Sequence, residues 1–192
     1  PSRAVAQVLL PISEFSVTTS TSVPWGIVKG PDGNIWFTER NGNKIGRITP
    51  GGTITEFTVS TSGAEIEGIT AGPDGNLWFV ELTGNKIGRI TTSGTITEFP
   101  LPVATRWPRD IAAGSDGNLW FTEYNGNRIG RITPGGTITE YLLSGAGIPW
   151  GITGGPDGNV WFTENFSNKI GKITPGGVIT EFPITTPDSS PT

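Results

Sequence analysis

Four copies of one motif at a near-constant spacing, a tight-turn signal inside every copy, and no helical periodicity predict an all-β chain. The architecture expected is a β-propeller of four four-stranded blades, each of about 42 residues, with one extra N-terminal outer strand in front. The motif reads Gly-Ile-x-x-Gly-[Pro/Ser]-Asp-Gly-Asn-[Ile/Leu/Val]-Trp-Phe-[Thr/Val]-Glu. Its central tryptophans are Trp36, Trp78, Trp120 and Trp161, spaced 42, 42 and 41 residues apart. Each copy is followed by Asn-[Lys/Arg]-Ile-Gly-[Arg/Lys]-Ile-Thr, a glycine-containing turn and Ile-Thr-Glu-[Phe/Tyr].

The first copy shows why each segment is a strand. Gly26-Ile27-Val28-Lys29 ends at a Pro31-Asp32-Gly33-Asn34 turn, and Ile35 to Glu39 ends at Asn41-Gly42-Asn43. Lys44 to Thr49 ends at Pro50-Gly51-Gly52, and Thr53 to Val59 completes the unit. Asp-Gly, Asn-Gly and Gly-Gly pairs supply the positive φ angles that short hairpins require. Short runs rich in Ile, Thr, Trp and Phe suit strands. The blades are placed at 24–59, 66–101, 108–143 and 149–184, and the extra outer strand at 7–17. That strand is read from Ile12-Ser13-Glu14-Phe15, which matches Ile54-Thr55-Glu56-Phe57. In Ile35-Trp36-Phe37 successive side chains point to opposite faces, so both faces of the second strand are apolar and need a neighbouring blade. Trp36, Trp78, Trp120 and Trp161 are therefore expected in the core.

The opening strand is surplus within a chain whose last blade already has its own, Val178 to Ile184. The expectation is a portion of a longer propeller or a unit that completes its ring with another copy, two copies giving eight blades. Open blade ends invite self-association.

Composition narrows the chemistry. The chain has 192 residues, a net charge of −4, no cysteine and no histidine. Disulfides and thiolate metal sites are excluded, as are histidine ligands and bases. Without clustered lysine or arginine, no nucleic-acid partner is expected. No apolar stretch approaches the ~20 residues of a membrane-spanning helix, so no membrane partner is expected either. Arg3-Ala4-Val5-Ala6-Gln7 has the spelling of a signal-peptidase site and points to a secreted or periplasmic location. Asp-Gly-Asn has too few carboxylates for a calcium loop, Pro-Gly-Gly-Thr lacks the lysine of a phosphate loop, and Asn165-Phe166-Ser167 is a sequon by spelling only.

Comparing the copies separates scaffold from candidate site. Glu39, Glu81, Glu123 and Glu164 recur in every copy and read as structural, paired with Lys44, Lys86, Arg128 and Lys169. The position before the first strand varies instead: Trp25, Glu67, Arg109 and Trp150. Asp110 stands where the other copies have glycine, and Glu65 and Trp107 lie just before the variable position. These seven residues form the candidate contact ring for a small-molecule or peptide ligand, since binding groups concentrate on loops held by a rigid scaffold. No catalytic or metal-binding residue can be assigned, and no cofactor is evident.

The segment Trp-Phe-Thr-Glu-x-x-x-Asn-Lys-Ile-Gly-Arg-Ile-Thr-x-x-Gly-x-Ile-Thr-Glu-Phe, preceded by Pro-x-Gly-Ile, resembles the repeat of the virginiamycin B lyases, the streptogramin lyase propellers. The resemblance runs from Ile12 to Ile184. It implies a seven-bladed ring, a cytoplasmic location, and magnesium-dependent opening of cyclic B-type streptogramin depsipeptides by elimination. It also implies a tyrosine at the variable position of the first blade and histidines in the last two. Here those positions hold Trp25, Glu67, Arg109 and Trp150, so no family histidine carries over. The readings that remain are a binding or interaction scaffold without a complete catalytic set, an N-terminal portion of such a lyase, and a purely structural propeller.

Overall fold

The computed structural model describes residues 12–192, and all regular structure among them is strand. Blade 1 is β1 (Pro24–Lys29), β2 (Ile35–Glu39), β3 (Lys44–Ile48) and β4 (Ile54–Thr58). Blade 2 is β5 (Ile66–Ala71), β6 (Leu77–Glu81), β7 (Lys86–Ile90) and β8 (Ile96–Pro100). Blade 3 is β9 (Pro108–Ala113), β10 (Leu119–Glu123), β11 (Arg128–Ile132) and β12 (Ile138–Leu142), and blade 4 is β13 (Pro149–Gly154), β14 (Val160–Glu164), β15 (Lys169–Ile173) and β16 (Ile179–Pro183). Each blade is an antiparallel meander in sequence order. The first strands β1, β5, β9 and β13 lie against one another around the axis, and the fourth strands are outermost.

Register explains an invariant glycine in the third strand. Phe37 lies directly opposite Gly46, Phe79 opposite Gly88, Phe121 opposite Gly130 and Phe162 opposite Gly171. The ring lies across the backbone there, and a Cβ would run into it. The Asp-Gly-Asn turn locks the other bulky side chain. Asp32 accepts a hydrogen bond from the Trp36 indole N–H at 3.0 Å, and Asp74, Asp116 and Asp157 repeat it with Trp78, Trp120 and Trp161.

Blades join through these rings. Trp36 stacks on Phe57 at 5.6 Å, and Arg47 lies over both and donates to the Thr92 carbonyl of blade 2 at 3.0 Å. Arg89 and Arg131 do the same toward Pro134 and Pro175. Trp36 shares one buried cluster with Ile66, Leu77 and Phe79 of the next blade. Trp36, Trp78 and Trp120 are fully buried as expected. Trp161 is only half-buried, because among the described residues no blade covers the far face of blade 4.

Residues 7–11 of the expected outer strand lie outside the described residues, and residues 12–17 form no strand. Their side chains nonetheless take the place of one. Phe15 sits on Gly52 as Phe57 sits on Gly94, Phe99 on Gly136 and Tyr141 on Gly177. Thr18 and Thr19 bind Glu56 as Ser60 and Thr61 bind Glu98.

The recurrent second-strand glutamates are fully buried, but their expected ion pairing is corrected. Lys44, Lys86, Arg128 and Lys169 reach the fourth-strand carboxylates of Glu56, Glu98, Glu140 and Glu181 instead, at 2.7, 2.7, 3.7 and 2.7 Å. A long cationic side chain seeks the wetter of two carboxylates. The inner carboxyls are then raised by burial, Glu81 to about 7.

Candidate functional site

Two backbone features bring the variable residues together. In each linker the residue two before the variable position is left-handed: Val23, Glu65, Trp107 and Ile148 have φ of 51°, 49°, 52° and 48°. Such a conformation is costly for β-branched residues and persists only where the surroundings enforce it. The enforcing contact is the carbonyl of that residue. It accepts the backbone N–H of the residue following the invariant glutamate, from Arg40, Leu82, Tyr124 and Asn165 at 3.0, 3.1, 3.1 and 3.2 Å. The residue after each second strand is thereby clamped beside the residue that opens each first strand.

The result is a chain of charges and rings at the entry ends of the first strands. Glu67 is fully buried, with Arg40 Nε 3.0 Å from Oε1 and Arg109 Nη1 3.6 Å from Oε2. Arg40 also reaches Glu65 at 3.4 Å and lies over the Trp25 ring at 5.3 Å. The Arg109 guanidinium lies flat on Trp150 at 3.5 Å, with Tyr124 edge-on to Trp150 at 5.6 Å and stacked on Trp107 at 6.4 Å. Burial pushes the Glu67 carboxyl up against the opposing pull of Arg109 and Arg40, and burial lowers the Arg109 guanidinium. Trp25, Glu67, Gly68, Arg109, Asp110 and Trp150 line a cavity of about 400 Å³ between the blades. A cavity of this size holds part of a drug-sized ligand.

All seven residues singled out from the sequence fall in this one neighbourhood, but they differ in kind. Trp25 and Trp107 present ring surface, at 52% and 39% exposure. Asp110 is turned into the scaffold, accepting the N–H of Ile111 at 2.9 Å and of Ile152 in blade 4 at 3.0 Å. Arg40 and Tyr124 belong to the cluster and were missed. The position after the invariant glutamate reads Arg40, Leu82, Tyr124 and Asn165, different in every copy, and that variation is the signal that identifies them.

The acidic groups here do not fit a divalent cation. Glu67 stands between two guanidinium groups, the Asp110 oxygens are taken by backbone N–H groups, and no three acidic side chains converge among the described residues. Magnesium requires several free oxygen ligands, which this cluster does not offer.

A family model described as the virginiamycin B lyase family matches residues 8–192. The chain belongs to the virginiamycin B lyase family. The fold agrees closely with the selenomethionine-substituted virginiamycin B lyase from Staphylococcus aureus, at a TM-score of 0.92 and 47% identity over 94% of this chain and 62% of that one. A streptogramin B lyase structure matches at a TM-score of 0.91 and 44% identity, covering 94% of this chain and 61% of that one. The virginiamycin B lyase of Bacillus licheniformis is 46% identical over 43 residues, 22% of this chain and 15% of its own. The chain thus spans less than two thirds of the length of these lyases. A catalytically inactive variant of the S. aureus virginiamycin B lyase has been solved with quinupristin.

Proposed function

We propose that this chain supplies a ligand-binding face of streptogramin-lyase type, without a complete catalytic set among its own residues. The ligand class is a cyclic B-type depsipeptide, one part of which enters the cavity between Trp25 and Trp150. The observation that carries the reading is that cavity. It is the place where repeats otherwise alike depart from one another, and it is lined by the Trp25 and Trp150 rings together with Glu67 and Arg109. Flat aromatic walls with a few convergent polar groups are what a small-molecule site requires. The relative solved with quinupristin supplies the ligand class. The absence of histidine removes the bases that the family resemblance implies, and the carboxylates of Glu67 and Asp110 are already held, by two guanidinium groups and by two backbone N–H groups.

The competing reading is the corresponding portion of an active lyase, favoured by 47% identity over 62% of the S. aureus enzyme. Titrating quinupristin while following tryptophan emission tests for binding. Incubation with magnesium followed by chromatography and fragment-ion analysis tests for turnover, since elimination without water yields a linear isomer of unchanged mass. Binding without the linear isomer is expected. No binding would overturn the proposal, and formation of the isomer would replace it with the lyase reading.

A further inference from the structure

The two ends of the blade stack carry the same segment. Residues 12–25 and 179–192 align without a gap, 167 positions apart (179 − 12, 192 − 25). Ile12-Ser13-Glu14-Phe15 answers Ile179-Thr180-Glu181-Phe182, and Thr18-Thr19 answers Thr185-Thr186. The backbone repeats as well, with Val23 and Ser190 both left-handed at φ of 51° and 44°. On blade 1 the first copy lies over Gly52 and Glu56 as residues of blade 1 lie over blade 2. That cover is partial. Ile27 is 72% exposed, whereas Ile69, Ile111 and Ile152 at the same position in later blades are 8%, 3% and 8% exposed. Ile69 owes its burial to Trp36 and Ile45 of the preceding blade.

The far face of blade 4 has the matching vacancies among the described residues. Ile45, Ile87 and Ile129 are fully buried, but Ile170 at the same position is half-buried, as is Trp161. Thr163 accepts the Gly151 N–H as Thr38 accepts that of Gly26. The Thr38 hydroxyl also donates to the Glu67 carbonyl of the next blade, and the Thr163 hydroxyl has no such acceptor among the described residues. Lys172 stands where Arg47, Arg89 and Arg131 donate to Thr92, Pro134 and Pro175 of the blade that follows. The carbonyls at the corresponding positions of blade 1 belong to Trp25 and Pro50.

We propose that a second copy of the chain docks head to tail, the far face of blade 4 in one copy covering the open face of blade 1 in the other. The three seams within the chain select this occupant, because the new contact repeats them residue for residue. One seam needs only one of the two like segments. Residues 179–186 of one copy supply its outer half, and residues 20–25 of the other supply its inner half. Phe182 thereby replaces Phe15 on Gly52, and Thr185 and Thr186 replace Thr18 and Thr19 on Glu56. Like replaces like, so the net gain is the burial of Ile27, Ile170 and the second face of Trp161, with acceptors for Thr163 and Lys172. The segment in the same chain competes at high effective concentration, so association has a threshold below which blade 4 stays uncovered. The contact joins unlike surfaces, and two copies close a ring of eight blades through two such contacts.

Sedimentation velocity of the full chain over a range of concentrations tests the docking, with a shift to twice the chain's mass expected. Phe15→Ala weakens the competing segment and should lower the dissociation constant about tenfold. Phe182→Asp and Ile27→Asp should each abolish association by placing a carboxylate in the seam. Ile27 is exposed and Phe182 partly exposed in the single chain, so its fold should survive both. Mixing these two variants should restore a heterodimer, since one intact blade 4 face still meets one intact blade 1 face. A single chain's mass at every concentration, weakening by Phe15→Ala, or no rescue in the mixture would overturn the proposal.

Discussion

Blades 2 and 4 are written in nearly the same residues and live in different surroundings. Leu77-Trp78-Phe79-Val80-Glu81 is buried at all five positions, whereas Val160-Trp161-Phe162-Thr163-Glu164 alternates between buried and half-buried. Among the described residues, blade 2 has a neighbour on each face and blade 4 has one. Their carboxyls differ in the same way. Among the described residues both oxygens of Glu81 are without a hydrogen-bond partner, while Glu164 accepts the Ser167 hydroxyl at 2.6 Å. Burial in this fold is a property of the stack rather than of the blade, as expected for a repeat in which each unit packs on its neighbours.

The largest expected effect breaks this comparison at the tryptophan. Trp78→Ala should destabilise the chain by about 3–5 kcal/mol, and Trp161→Ala by about 1–2 kcal/mol, measured as urea midpoints at equal slope. Equal losses would show that both faces of blade 4 are covered in solution.

The next effect has the opposite sign. Unfolded, Glu81 ionises near its ordinary 4.5; folded, it holds its proton to about 7. Between these values the unfolded chain binds fewer protons, so this group makes stability fall as pH rises from 4.5 to 7 and level off above. Glu81→Gln should remove that fall and raise stability at pH 8 by at most about 3 kcal/mol, with little change at pH 4. Glu164→Gln should gain less. Denaturant titrations across that pH range report both.

A smaller loss is expected at the seams between blades. Thr38 accepts the N–H of Gly26 and donates to the Glu67 carbonyl of blade 2, both at 2.8 Å; Thr122 likewise joins Asp110 to Trp150. Blade 2 has Val80 at this position, so its seam to blade 3 lacks the hydroxyl. Thr38→Val should cost about 1–2 kcal/mol by leaving two backbone groups unpaired, and amide exchange should quicken at Gly26 first. The smallest effect is expected at Trp25, half-exposed on the cavity wall. Trp25→Ala should shift thermal stability by no more than about 0.5 kcal/mol while weakening quinupristin binding.

The blades were legible because the same turn residues and the same short apolar runs recur with each copy, and local periodicity reports strand pairing directly. The variable ring was legible for the opposite reason: Trp25, Glu67, Arg109 and Trp150 differ where all else is held. Which of them touch was not legible. Arg40 reaches Glu67 only because a left-handed linker residue turns the next blade toward it, and that conformation sits on Val, Glu, Trp and Ile, none of which announces it. The pairing of Lys44 was misplaced because Glu39 lies opposite it in register, and the pull of the wetter Glu56 is a matter of solvation.

Phe15, Phe57, Phe99 and Tyr141 rest on Gly52, Gly94, Gly136 and Gly177, which follow them in the chain by 37, 37, 37 and 36 residues (52 − 15, 94 − 57, 136 − 99, 177 − 141). Each aromatic thus leaves the ribosome before its seat does, and each finished blade offers a ready surface to the one being made. The main strand contacts likewise join only blades consecutive in sequence. Assembly can therefore run in the direction of synthesis, one blade at a time, with no long loop to close before the first contacts form.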